Sequence, residues 1–260
     1  MFPLLPLASL NEFSFFALVL CRLGGIFSAI PLFGEGRVPL VIRVVTIFMM
    51  TLVCFPLLRA MAPQLPADSL SLAILVVREI LIGISLGFLS KVVFAAVDFC
   101  GQIVGMQMGF SMSTMFDPSM GQTPLMSNFQ LLLAMLLFLS LGIHHVFIRA
   151  IMDSYTVIPV GSWHMSGGLL EYFIVTIRDM FVLGIKLAAP VMVSLLATSV
   201  ALGIMARSFP QMNIFMVSMP LNIGIGFLVL GLSLLVFLHT LEISYGMINV
   251  QIKTLFKLLQ

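Results

Sequence analysis

Charge is what this sequence has least of. Its 260 residues include 12 Lys/Arg and 10 Asp/Glu, or 8% charged, with a net charge of +2. A soluble domain carries about 25%, so a soluble surface cannot be built from this set. The few basic residues are scattered, and no patch marks a nucleic-acid partner. No lysine or arginine precedes Arg22, whereas a cleaved signal peptide opens on a positive region. The first apolar run is therefore expected to stay as a membrane helix. Cysteine is scarce too. Cys21, Cys54 and Cys100 all lie in apolar runs without metal-ligand spacing, and read as small buried hydrophobes. No nucleophile–base–orienter set, phosphate loop or zinc motif is present, which argues against an enzyme. No internal repeat or low-complexity tract is evident.

What the sequence has is apolar length. Hydrophobic residues make up 61%, and the mean hydropathy is +1.20. A spanning helix needs roughly 20 apolar residues, and that rule predicts spans near 13–33, 38–58, 70–97, 126–148, 173–205 and 214–240. Phe33-Gly34-Glu35-Gly36, the Pro63–Asp68 region, Met115–Pro124, the polar segment 149–172 and Ser208–Gln211 supply the breaks. The working count is six. Arg59, Arg149, Lys253 and Lys257 then fall on one side and Arg37 and Arg207 on the other, which favours a cytoplasmic tail.

Three constellations stand out. Gly83 and Gly87, then Gly101, Gly105 and Gly109, repeat at four-residue spacing, which stacks small residues on one helix face and lets another backbone approach. The stretch QMGFSMSTMFDPSMGQTP, residues 107–124, follows directly. At about 100° per residue, Met108, Met112 and Met115 continue the side occupied by Gly101 and Gly105. Three readings of these methionines stay open: core packing, a deformable apolar seal, or a Cu(I) site. Third, Arg22, Arg43, Glu79, Lys91, Asp98, Arg178, Asp179 and Lys186 sit in apolar runs, where ionisable groups are costly. They suit a proton-coupled carrier, pairing between subunits, or surroundings other than lipid. Their number favours helices that face protein or water. His144-His145 caps an apolar run, and adjacent histidines diverge by about 100° on a helix, a poor start for one haem site.

Short motifs in order along the chain carry a resemblance. They are Arg22-Leu23-Gly24, Pro31–Gly34, Pro39 and Arg43; Glu79, Gly83 and Gly87; and Asp98, Gly101, Gly105, Gln107–Phe110 and Asp117-Pro118. Above all there is Ala206-Arg207 followed by Pro210-Gln211-Met212-Asn213-Ile214-Phe215 and Pro220. Together they span about residues 10–245. The chain resembles the FliR family of flagellar type III export-gate subunits, related to the T subunit of virulence secretion systems. The PQMNIF form looks like the flagellar branch.

The resemblance implies an all-α membrane protein made of helical hairpins. A FliP-like part over 1–172 would precede a FliQ-like hairpin over 173–260, in a helical gate built with FliP and FliQ homologues. An FlhB homologue would associate with it. Unfolded flagellar substrates would pass through a pore in the bacterial inner membrane, at the flagellar basal body. The resemblance implies no catalytic residue, cofactor or metal. It places a plug loop at 105–122, with Met108, Phe110, Met112, Met115, Phe116 and Met120 sealing the closed pore. Gly83, Gly87, Gly101, Gly105 and Gly109 would serve helix packing. Arg22, Glu79, Lys91 and Asp98 would pair as buried charges. Pro210, Gln211, Asn213 and Pro220 would form the turn between the last two helices. The alternative is a small-solute or ion carrier using Glu79, Lys91 and Asp98, and a Cu(I)-binding membrane protein is a third reading.

Overall fold

A computed structural model describes residues 10–30, 38–59, 63, 65–66, 68–110, 124–163, 167–209, 211 and 213–260. It is all-α. The helices are α1 (Leu10–Ala29), α2 (Leu40–Leu58), α3 (Ser69–Gln107), α4 (Leu125–Ser140), α5 (Ile143–Val157), α6 (Gly167–Ser208) and α7 (Ile214–Leu259). No strand occurs among the described residues. Five helices are long and apolar enough to cross a membrane, or six spans if α4 and α5 count as one.

The expected spans and the helices agree in order and differ in extent. The run expected over 126–148 is two helices bent by 64°. Gly142 makes the break, with a φ of +66° that favours glycine. Segment 149–172, read from its polarity as a break, is helical through Val157 and again from Gly167. The last span does not stop near 240, because α7 runs 46 residues. Its final turns keep a helical stripe: Tyr245, Ile248, Ile252, Leu255, Phe256 and Leu259 are all buried, at the three- and four-residue spacing of one helix face. Length and apolarity find lipid-like runs, but they stop where a helix turns amphipathic.

At 1.5 Å per residue, α3, α6 and α7 are about 58, 63 and 69 Å long, against a hydrocarbon core of about 30 Å. Their apolar surface therefore extends well beyond what one bilayer covers.

The chain divides into two compact units, and α3, α6 and α7 contribute to both. One takes residues 1–92, 142–175 and 247–260. Here α1 packs on α2 through Phe16, which meets Phe48 and Phe55 edge-on at 5.8 and 5.4 Å. Arg59 and Glu12 form an ion pair between the same two helices. Asp68 starts α3, accepting a hydrogen bond at 3.2 Å from the Ser71 amide, the usual role of an N-cap aspartate. Tyr172 on α6 donates its hydroxyl to the Gln251 carbonyl of α7 at 3.2 Å.

The other unit takes residues 93–141 and 176–246. Its centre is an aromatic trio. Phe94, Phe138 and Tyr245 lie 5.5 to 6.0 Å apart, from α3, α4 and α7. The Tyr245 hydroxyl donates to the Ala134 carbonyl at 3.1 Å, so the buried phenol keeps a partner.

Candidate functional site

The first unit buries a full ion pair. Arg22 on α1 and Glu79 on α3 are both inaccessible to solvent. Arg22 donates through Nε to Glu79 Oε2 at 2.5 Å and through Nη2 to Oε1 at 3.0 Å. This is the paired geometry that suits guanidinium to carboxylate. Nη1 donates to the carbonyls of Ser154 and Ile158, each at 3.1 Å. Both carbonyls lie at the C-terminal end of α5, where the helix dipole favours a cation, and Ser154 O also accepts from Ile158 N at 2.9 Å. The guanidinium also lies 4.2 Å from the Tyr155 ring centre, and Tyr155 donates its hydroxyl to the Val19 carbonyl at 3.3 Å. One side chain thus ties α1, α3 and α5 together with its charge neutralised.

Glycine makes this approach close enough. A Cβ at Gly83 would strike the Arg22 carbonyl oxygen and come within 3.0 Å of Gly25 Cα. A Cβ at Gly87 would lie 2.7 Å from the Ile26 carbonyl oxygen. At Gly83 and Gly87 the neighbouring backbone is that of α1. Sequence reasoning missed Ser154, Tyr155 and Ile158. It also missed Gly25, whose signal was the small pair Gly25 and Ala29 at four-residue spacing; Ala29 Cβ is what a side chain at Gly87 would meet.

In the second unit the glycine series continues against α4. A Cβ at Gly101 would collide with the Ser127 backbone, while one at Gly105 would meet Met126 at an ordinary 3.6 Å. Beside Gly101, Asp98 accepts a hydrogen bond from the Ser127 hydroxyl and another from the Gln102 amide at 2.9 Å. Gly109 has a different job from the other two. It takes φ +88°. Phe110 N donates to Gly105 O and Gly109 N to Met106 O, both at 3.1 Å. This is a left-handed glycine stop for a helix end, and it terminates α3.

Met108 is fully buried. It fills the space a side chain would take at Gly226 on α7, its Cγ, Sδ and Cε all within 2.9 Å of where that Cβ would lie. Phe110 meets Phe227 on the same helix at 6.3 Å, near edge-on. Met108 and Phe110 are therefore seated on α7. Gly226 was missed; it belongs to no four-residue glycine series before α7. Gly184 was missed as well. A Cβ there would lie 2.9 Å from the Ala96 carbonyl oxygen, and the pair Gly184 and Ala188 carried the small-residue signal.

Met112, Met115, Phe116 and Met120 lie outside the described residues, as does Pro210. Gln211 is exposed between α6 and α7. Asn213 precedes α7 and accepts a hydrogen bond from Met216 N through its own carbonyl at 3.1 Å. Pro220 is not in the turn but inside α7, where it is exposed. Lys91 is also exposed. Of the four charges expected to be buried, Arg22 and Glu79 meet each other, and Asp98 takes Ser127 and Gln102.

These features define an all-α membrane protein whose apolar helices are joined by glycine contacts and a buried ion pair. Comparison with known proteins gives its family. Residues 13–247 match the bacterial export proteins, family 1, and the chain belongs to that family, which is one of export components and not of enzymes. It is 36% identical over 225 residues to the flagellar biosynthetic protein FliR of Bacillus subtilis, covering 85% of this chain and 86% of the relative. It is 32% identical over 219 residues to FliR of Caulobacter vibrioides, covering 84% and 87%. With FliR of Escherichia coli K12 it shares 32% over 213 residues, covering 80% and 79%.

Proposed function

We propose that this protein is a pore-lining subunit of the flagellar type III export gate in the bacterial inner membrane, at the flagellar basal body. The observation that carries the reading is the family match across residues 13–247, joined by FliR relatives that cover most of the chain. The partners are FliP and FliQ homologues in one hetero-oligomer, with an FlhB homologue associated. Unfolded flagellar substrates are the cargo. Residues 1–172 act as a FliP-like part and 173–260 as a FliQ-like hairpin.

Surface chemistry supports an assembled state. Leu228, Leu232, Leu235 and Val236 on α7 are 62–78% exposed, on a helix longer than a bilayer is thick. Arg178 and Asp179 on α6 are exposed within an apolar helix, and a charge at the lipid centre costs about 3 kcal/mol on insertion scales. Partner subunits would cover both.

Segment 105–122 is the plug. Glycine and proline allow an irregular path, which at membrane depth is tolerated only against protein or a cavity. Methionine side chains seal without requiring one geometry. Met108 and Phe110, seated on α7, hold the start of the plug in place.

Co-expression with FliP and FliQ homologues tests the gate. The chain is expected to co-purify in one complex; a chain that stays monomeric while the homologues assemble without it contradicts the reading. For the plug, deletion of 109–122 is expected to make the membrane leaky to small ions while assembly persists, and unchanged conductance contradicts a sealing role.

A further inference from the structure

A groove of about 470 Å³ opens between α5 and the last turns of α7. Its polar lining is Arg149, Asp153 and Thr156 from α5 with Asn249 and Lys253 from α7, and Phe256 closes part of it. Among the described residues neither Arg149 nor Lys253 has an ion-pair partner. Two cations and one carboxylate leave the groove with a net charge of +1. The rest of the groove is apolar: Val146, Ala150 and Val157 from α5, and Ile252 beside Phe256 from α7. A soluble anion would use the cations and leave that apolar surface wet. An amphiphile with one negative charge would use both.

We propose that this groove binds the headgroup of an anionic phospholipid. The phosphodiester sits against Arg149 and Lys253. Asp153 and Asn249 hydrogen-bond the hydroxyls of the glycerol or headgroup, and the acyl chains leave along the apolar lining at Val146 and Val157. Both helices belong to apolar segments able to cross a membrane, and cations at the ends of such segments lie where phospholipid phosphates are. A guanidinium grips a phosphate through two parallel N–H donors, and an ammonium adds a point charge beside it. The inference does not depend on the export role, because it uses only the groove and its lipid surroundings.

The full chain in nanodiscs of mixed phosphatidylglycerol and phosphatidylcholine provides the test, with spin-labelled phosphatidylglycerol as the probe. The wild type is expected to immobilise phosphatidylglycerol in preference to phosphatidylcholine. The double variant Arg149→Gln/Lys253→Gln is expected to lower that preference by about thirtyfold, from roughly 1 kcal/mol for each of the two basic residues near a lipid surface. The charge-preserving Arg149→Lys/Lys253→Arg keeps most of it. A wild type without preference, or a double glutamine variant with the preference intact, overturns the proposal. So does displacement of the lipid by millimolar inorganic phosphate, which would make this a soluble-anion site. If the glutamine variant fails to fold, a photoactivatable phosphatidylglycerol on the wild type decides: label on residues 146–157 and 249–256 supports the site, and label elsewhere overturns it.

Discussion

Among the described residues, two of the arginine–carboxylate pairs, Arg22 with Glu79 and Arg178 with Asp179, could hardly differ more. Arg22 and Glu79 come from α1 and α3 and are completely buried, with carbonyls of α5 filling the remaining reach of the guanidinium. Arg178 and Asp179 are neighbours on α6, at 2.9 Å, with side chains 68% and 55% exposed. The first pair was desolvated by folding, and its surroundings satisfy it. The second stays largely exposed in the isolated chain, although the helix that carries it is apolar enough to span a membrane. A buried charge with every partner in place belongs to the chain's own core. An exposed charge on a greasy helix points to surroundings that folding of this chain does not supply.

That contrast can be broken by substitution. Glu79→Ala strands the buried guanidinium and is expected to destabilise by about 3–5 kcal/mol, the usual loss when one partner of a buried pair is removed. Thermal unfolding in mild detergent measures it. Arg22→Met with Glu79→Met removes both charges and should recover part of that loss. It takes the Arg22 donor from the Ile158 carbonyl, at about 1–3 kcal/mol for a buried polar group, while the Ser154 carbonyl keeps its hydrogen bond from Ile158 N at 2.9 Å. Gly83→Leu forces α1 away from α3 and is expected to lose about 3 kcal/mol, near the upper end for overpacking, in the same assay. Ser127→Ala takes one hydrogen bond from Asp98 and should lower stability by about 1 kcal/mol. Arg178→Ala lies at the other end of the scale. It should move the unfolding of the isolated chain by less than about 0.5 kcal/mol, as exposed pairs do, while lowering the yield of the complex with FliP and FliQ homologues.

Much of this was legible in the sequence, for identifiable reasons. Low charge and long apolar runs require helices in lipid or against protein, because only helices and closed barrels satisfy the backbone there. The four-residue spacing at Gly83, Gly87, Gly101 and Gly105 suggested surfaces for close approach; a Cβ at Gly83, Gly87 or Gly101 would meet a neighbouring helix at 2.7 Å or less, whereas one at Gly105 would sit at an ordinary 3.6 Å. What spacing could not show was the partner. Arg22 finds Glu79 at 57 residues' remove and Ser154 at 132, and no local pattern encodes so distant a meeting. Helix ends were legible only where polarity and geometry coincide. Gly142 bends a run between Leu141 and Ile143 where hydropathy stays high, and the amphipathic end of α7 continues where hydropathy falls. Gly109 sat in register with the packing glycines, yet its positive φ makes it a terminator, and register alone does not separate the two roles.

The central claim is that the exposed charges and apolar faces of α6 and α7 are met by other subunits. Labelling of Asp179→Cys with a membrane-impermeant maleimide tests it most directly, comparing the chain alone in detergent with the chain co-assembled with FliP and FliQ homologues. Labelling is expected to be rapid in the isolated chain, where Asp179 is 55% exposed, and strongly suppressed in the complex. Equal labelling in both states would contradict the account.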